Sequence, residues 1–352
     1  MKVSRTASIY LDLMRGAAAT AVVLFHFHDK HFGPDWITRY FPSNGHGFVI
    51  VFFVISGFLI TMAAENKSAA EFTIDRCARI AIVALPVLLA CFALSALVPT
   101  ITAAPEYIKA VEQPVLTLLL NATFLSQSWS LMYFPYLDAP FWSLSYEVMY
   151  YLIFGLFFYL KGPARWILSI LLCAAAGPKI LVLFPCWLAG VAAFKFRNGF
   201  GVGAAAGWVA VIGAPLLLIV AFKLGLKGHL NAASLYFDHT PSEGFVRSWA
   251  VAATVAVHLW GVCQVEIKLP RFVEVACRHL ANMSYSIYLA HLPFLYLLAY
   301  YLIDQTSALF VIAGIPLTFC FCFTVSALTE RNTKVLRDAL NSFNLKVSPY
   351  SR

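Results

Sequence analysis

Charged side chains are scarce in this sequence. Asp, Glu, Lys and Arg make up 12% of its 352 residues, against about 25% in an ordinary soluble domain. With 61% hydrophobic residues, too little polar surface is left to coat a water-soluble globule, and the chain reads as a polytopic membrane protein. The eight cysteines form neither a disulfide framework nor a zinc-ligand spacing, and Cys320 and Cys322, two apart, face away from each other on a helix. Basic patches interleaved with aromatics, nucleic-acid motifs, internal repeats and a segment of soluble-domain composition are also missing. The net charge of +8 sits in short connections between apolar runs, where it reports topology rather than a nucleic-acid partner. Lys2 and Arg5 ahead of an apolar run imitate a secretory signal, yet Asp12 and Arg15 interrupt that run and further spans follow, so the first helix is read as retained.

Apolar runs long enough to cross a hydrocarbon core of about 30 Å fall near 8–28, 47–64, 76–98, 142–160, 202–222, 247–263, 281–302 and 307–328, with two shorter ones, 164–176 and 179–196, divided by Gly177-Pro178. The stretch 114–128 is short, carries Asn121 and Gln127, and is read as re-entrant or interfacial. The expected fold is therefore all-α: a single bundle of about ten transmembrane helices over 8–328, followed by a basic cytoplasmic tail, 329–352. With both termini inside, seventeen Lys and Arg fall on the cytoplasmic side and seven outside, and Arg15 lies within the membrane.

The few polar groups inside the apolar runs carry the functional information. A charged side chain at the bilayer centre costs at least about 2.5–3.5 kcal/mol, so Asp12 and Arg15 in the first run need compensation. At about 100° and 1.5 Å per residue, Arg15 and His26 share one helix face about 16 Å apart along the axis, and Asp12 is spaced to pair with Arg15. That face offers polar groups at two depths, as a pathway through the membrane requires. The alternative is that Arg15 snorkels to the inner surface and His26 is an interfacial histidine.

Glu147 lies about five residues into a later span with Ser143 one turn before it on the same face. At a depth similar to His26, it is a candidate to orient the imidazole for general-base chemistry; the alternative is a surface cap or helix bridge. Trp142 and Tyr146 read as interfacial anchors. Ser284, Tyr288 and His291 form a polar stripe at i, i+4 and i+7, with Pro293 expected to kink the helix just beyond, and His291 can equally be a satisfied interhelical histidine. Arg76 and Arg79 suit phosphate gripping or are plain positive-inside charges. Ser56 and Gly57 form a small-residue contact that would allow close backbone approach.

Taken together these segments resemble the acyltransferase 3 family of integral membrane acyltransferases. The resemblance rests on Arg15 and His26 with ten residues between them, "FFVISGFLIT" (52–61), the Arg76 and Arg79 pair, "FWSLSYE" (141–147) and "MSYSIYLAHLP" (283–293), all in the family's order. It implies transfer of an acyl group, most often acetyl, from cytoplasmic acyl-CoA to a hydroxyl of an extracytoplasmic saccharide or lipid-linked glycan, in a membrane such as the bacterial inner membrane. It further implies His26 as the catalytic residue, Arg15 as its partner, and Arg76 and Arg79, with Ser56 and Gly57, on the acyl-CoA side. Glu147 is expected in the catalytic set, supported by Asp12, Trp142, Ser143, Ser284, Tyr288 and His291. No metal and no permanently bound cofactor is implied, and acetyl-CoA is a cosubstrate. Two departures are visible: a proline common after the second arginine is replaced in Arg79-Ile80-Ala81-Ile82, and a common Glu-x-Pro near the last helix reads Glu330-Arg331-Asn332. The rival reading is a transporter or flippase in which Arg15, His26 and Glu147 form a proton or anion relay. The external segment from Lys223 to Gly244 is the expected determinant of acceptor choice.

Overall fold

The computed structural model describes residues 3–101, 104–198, 203–232, 240–242 and 244–347, and the described residues contain helices and no strand. The longer helices are α1 (Arg5–Asp29), α2 (Gly45–Ala64), α3 (Ala69–Leu97), α4 (Pro114–Ala122), α5 (Trp142–Tyr159), α6 (Gly162–Ala176), α7 (Phe184–Lys195), α8 (Ala204–Lys223), α9 (Phe245–Gln264), α10 (Arg271–Asn282), α11 (Ser284–Tyr301), α12 (Ala308–Leu328) and α13 (Thr333–Val347). Among the described residues, eight helical segments are long and apolar enough to cross a membrane, against the ten expected. The two not among them are α6, which is apolar but only 15 residues long, and α11, whose 18 residues carry the polar stripe.

Helix ends follow local chemistry. Ser4 caps α1 by accepting from the Ala7 N–H, and Ser68 with Glu71 forms a capping box at α3. Gly177, at φ +81°, ends α6, and Pro178 opens the next turn of helix, as the Gly-Pro signal predicts. The 114–128 stretch holds only the nine-residue α4, in keeping with a segment that does not span. Pro293 does not break α11, which runs on to Tyr301.

α1, α2 and α11 form the centre, with α1 packed on α2, α10 and α11, and α2 packed also on α5, α7 and α9. Buried Val22, Val23, Phe27, Ile50, Phe53, Leu289 and Leu292 fill the space between them. α2 and α7 approach through glycine: a Cβ on Gly57 would stand 2.0 Å from the Trp187 carbonyl oxygen, and one on Gly190 1.9 Å from that of Val54. Backbones pack this closely only where both helices present small residues. A Gly190→Leu substitution is therefore expected to destabilise the bundle by about 1–3 kcal/mol, read as a lower unfolding midpoint in detergent; a wild-type midpoint would contradict this packing.

The charged connections collect at two ends. One end carries the Arg5–Glu274 pair (2.6 Å), the Lys195–Glu65 pair (2.6 Å), the Lys67–Asp75 pair and Arg337 of α13 reaching Asp75 at 3.5 Å. The expected tail is thus a helix docked along α3 up to Val347, with residues 348–352 outside the described residues. The other end carries Lys30, Glu106 and Lys179. Burial works to lower the Lys30 ammonium's pKa, but Tyr296, Asp29 and Glu106 outweigh it and hold the group above the ordinary lysine value. Of the segment Lys223 to Gly244, residues 233–239 and 243 lie outside the described residues.

Candidate active site

Between α1, α2, α3, α5 and α11 lies a cavity of about 730 Å³, within the range of about 300–1,000 Å³ usual for small-molecule sites. Val3, Asn66 and Lys67 line it toward the Arg5–Glu274 end, and Val49, Phe52, Ser143 and Tyr288 line it at depth. Arg15, Arg76, Arg79 and Lys67 face it against only two carboxylates, Asp12 and Glu147. Three helices, α1, α3 and α5, and the connection before α3 bring these groups together, so the site exists only in the assembled bundle.

Arg15 reaches α11, where its Nη2 donates to Ser284 Oγ at 3.1 Å. The expected ion pair with Asp12 does not form within 4.0 Å among the described residues. The reason is geometric and electrostatic: Arg15 extends toward Ser284, and the charges acting on it include Arg79 and Glu330 as well as Asp12. Arg76 supplies the most telling atom, a buried Nε with no hydrogen-bond partner. A buried charged donor left unpaired is costly.

Glu147 is held inside the cavity wall. Its Oε1 accepts from Ser56 Oγ at 2.7 Å and from the Tyr151 hydroxyl, and Trp187 Nε1 donates to Ser56 Oγ at 3.2 Å. Glu147 thus meets Ser56 and Tyr151 rather than His26, which corrects the expected carboxylate–imidazole contact. The expected similar depth is not observed: Glu147 lies one turn past Ser143 toward the cavity, whereas His26 meets His291 about one turn beyond the Tyr288–Ser143 contact in the other direction. Gly57 does not line the cavity, because it faces α7 on the other side of α2. Trp142 and Tyr146 are not lipid-facing anchors: Trp142 stacks on His46 at 5.7 Å, and Tyr146 is fully buried beside Phe53. Their apolar rings fill the α2–α5 contact, where no interface is available to them.

The α11 stripe divides by depth. Ser284 meets Arg15, Tyr288 bonds the Pro140 carbonyl at 3.0 Å and Ser143 Oγ at 2.9 Å, and the His291 ring lies 5.2 Å from that of His26. Two contacts in the same chain order make α1 and α11 parallel neighbours, the direction that ten crossings would require. His291 Nδ1 donates to the Ile287 carbonyl at 2.8 Å, which leaves its buried Nε2 as an acceptor without a partner. His26 is 8% exposed and does not line the cavity. Tyr288 precedes His291 by three residues, about 4.5 Å of helix rise, so the cavity ends roughly one turn short of the histidine pair. The T-shaped Phe52 and Tyr288 rings, 5.6 Å apart, stand at that end.

Sequence reasoning missed Tyr151, Lys67, Trp187 and Glu330. Tyr151 falls at i+4 from Glu147, a spacing that could have flagged it. Glu330, whose Oε1 accepts the Ser286 N–H at 2.8 Å, comes from beyond the last long apolar run, and the sequence marked it only as the start of a motif that lacks its proline, not as a neighbour of the site.

No curated protein and no solved structure matches the chain. The family model Acyl_transf_3, described as an acyltransferase domain, matches residues 8–327. That match runs through every helix that contributes to the cavity, and the chain belongs to the Acyl_transf_3 acyltransferase family.

Proposed function

We propose that this acyltransferase takes its acyl group, most readily acetyl, from cytoplasmic acyl-CoA and transfers it to a hydroxyl of an extracytoplasmic saccharide or lipid-linked glycan. The observation that carries the donor assignment is the cavity with Arg15, Arg76, Arg79 and Lys67 on its wall and the Arg76 Nε unpaired. A CoA ester presents a diphosphate and a ribose phosphate, and guanidinium groups bind such oxygens through charge-assisted hydrogen bonds. Both termini are on the cytoplasmic side in this reading, consistent with the seventeen-to-seven bias in basic residues.

His26 is the proposed general base. It removes the proton of the acceptor hydroxyl as the oxygen attacks the thioester carbonyl; the carbon–sulfur bond then breaks, and the CoA thiolate leaves and takes up a proton. Arg15, on the donor side of His26 along α1, stabilises negative charge on the donor. Because the cavity stops short of His26, the Phe52 and Tyr288 rings part to admit the acyl group.

The test uses protein reconstituted in lipid vesicles with acetyl-labelled acetyl-CoA and a total lipid-linked glycan extract. Label should appear as base-labile ester in the glycan, only when acetyl-CoA is supplied. Accumulation of unmodified solute or lipid across the membrane without any acyl-CoA requirement would instead favour the transporter reading.

A further inference from the structure

With Glu147 occupied by Ser56 and Tyr151, His26 lacks the orienting carboxylate that its role as base calls for. We propose that Asp29 supplies it, acting as the positioning residue for His26; this rests on the reading of His26 as general base. Asp29 stands one turn beyond His26 at the end of α1, with Oδ2 4.0 Å from His26 Nδ1. That Nδ1 is buried and has no hydrogen-bond partner. The neighbours of the imidazole are the Phe25 ring at 4.9 Å and the His291 ring at 5.2 Å. Of these, Phe25 offers no hydrogen bond, and His291, whose Nδ1–H is committed to Ile287, makes no hydrogen bond to His26 through its unpartnered Nε2.

The surroundings let Asp29 close the remaining gap. Its side chain is 38% exposed and so has room to turn. The same Oδ2 lies 3.2 Å from Lys30 Nζ, and Lys30 Nζ also lies 3.2 Å from Glu106 Oε1. Lys30 therefore keeps a carboxylate partner when Asp29 swings toward the imidazole, and no unpaired ammonium is left behind. A carboxylate at Nδ1 holds the proton on that nitrogen, which leaves the Nε2 lone pair free to act as the base, and it stabilises the imidazolium that forms. The chain His26–Asp29–Lys30–Glu106 then links the base to the end of the bundle opposite the donor opening, where the acceptor would approach.

The experiment compares wild type, Asp29→Ala and Asp29→Glu in lipid nanodiscs, with histidine ring nitrogens labelled with ¹⁵N and the His26 signal assigned by its loss in His26→Gln. The Nδ1–H tautomer is expected for His26 in wild type, a shift toward Nε2–H in Asp29→Ala, and its return in Asp29→Glu. CoA release kinetics on the same samples should show kcat lowered at least about tenfold in Asp29→Ala with the acyl-CoA KM unchanged. This is less than the roughly 10⁴-fold loss when a fully buried orienting carboxylate is neutralised. An unchanged His26 tautomer in Asp29→Ala, or a wild-type kcat, would overturn the proposal. A tautomer shift in a protein that transfers no acyl group would leave the contact standing and remove the acyltransfer reading instead.

Discussion

Replacing His26 by alanine is expected to lower kcat for acyl transfer by about 10²- to 10⁴-fold, the range supplied by a positioned general base. The acyl-CoA KM should change little, because His26 does not line the cavity proposed for the donor, whereas Phe52 and Tyr288 do. That split distinguishes a base from a donor-binding residue. His26 is packed between Phe25 and His291 rather than hydrogen-bonded to the bundle, so the variant loses ring packing but no hydrogen bond and should still unfold cooperatively, at a lowered midpoint. Steady-state kinetics in both substrates, with a melting curve on the same preparation, would check this. A raised donor KM with normal kcat would place His26 in donor binding.

The second large effect concerns the arginines. Arg76→Ala or Arg79→Ala is expected to raise the acyl-CoA KM at least about tenfold each, since a hydrogen bond to a charged group is worth about 1.5–3 kcal/mol. Arg76→Lys should recover only part of the loss at Arg76, because an ammonium cannot present the planar fork of a guanidinium, whose Nε here is buried without a partner. Direct binding of CoA in nanodiscs would show the same order. Lys67 is a weaker anchor, since Asp75 already holds it, and Lys67→Ala should cost less than either arginine variant. Equal CoA affinity in wild type and Arg76→Ala would remove the cavity from the donor assignment.

Much of this arrangement was legible in the sequence because apolar runs are sparsely interrupted and each interruption is costly. Arg15, Arg76, Arg79 and Glu147 stood out as charges within or at the entrance of such runs, and all four face one cavity. The i, i+4, i+7 stripe of Ser284, Tyr288 and His291 faces α1 and α5 as its spacing predicts. What the sequence could not carry is lateral placement. Helical period says that Asp12 shares a face with Arg15, yet not that Arg15 prefers Ser284 across the gap. Counting residues from the span ends puts Glu147 level with His26, whereas in the bundle it sits deeper in the cavity, where Ser56 and Tyr151 hold the carboxylate. Trp142 and Tyr146 carry the composition of interfacial anchors, and only packing against His46 and Phe53 reveals them as interior residues. Asp29 escaped notice because it stands where an apolar run ends, and acidic residues there are commonplace.

The most direct test of the account is release of free CoA thiol from acetyl-CoA by purified protein in lipid with a total glycan acceptor, wild type beside His26→Ala. The account predicts acceptor-stimulated release by the wild type, lost by at least about 10²-fold in a variant that stays folded. Release that is equal in both proteins, or absent in the wild type with every acyl-CoA supplied, would contradict it.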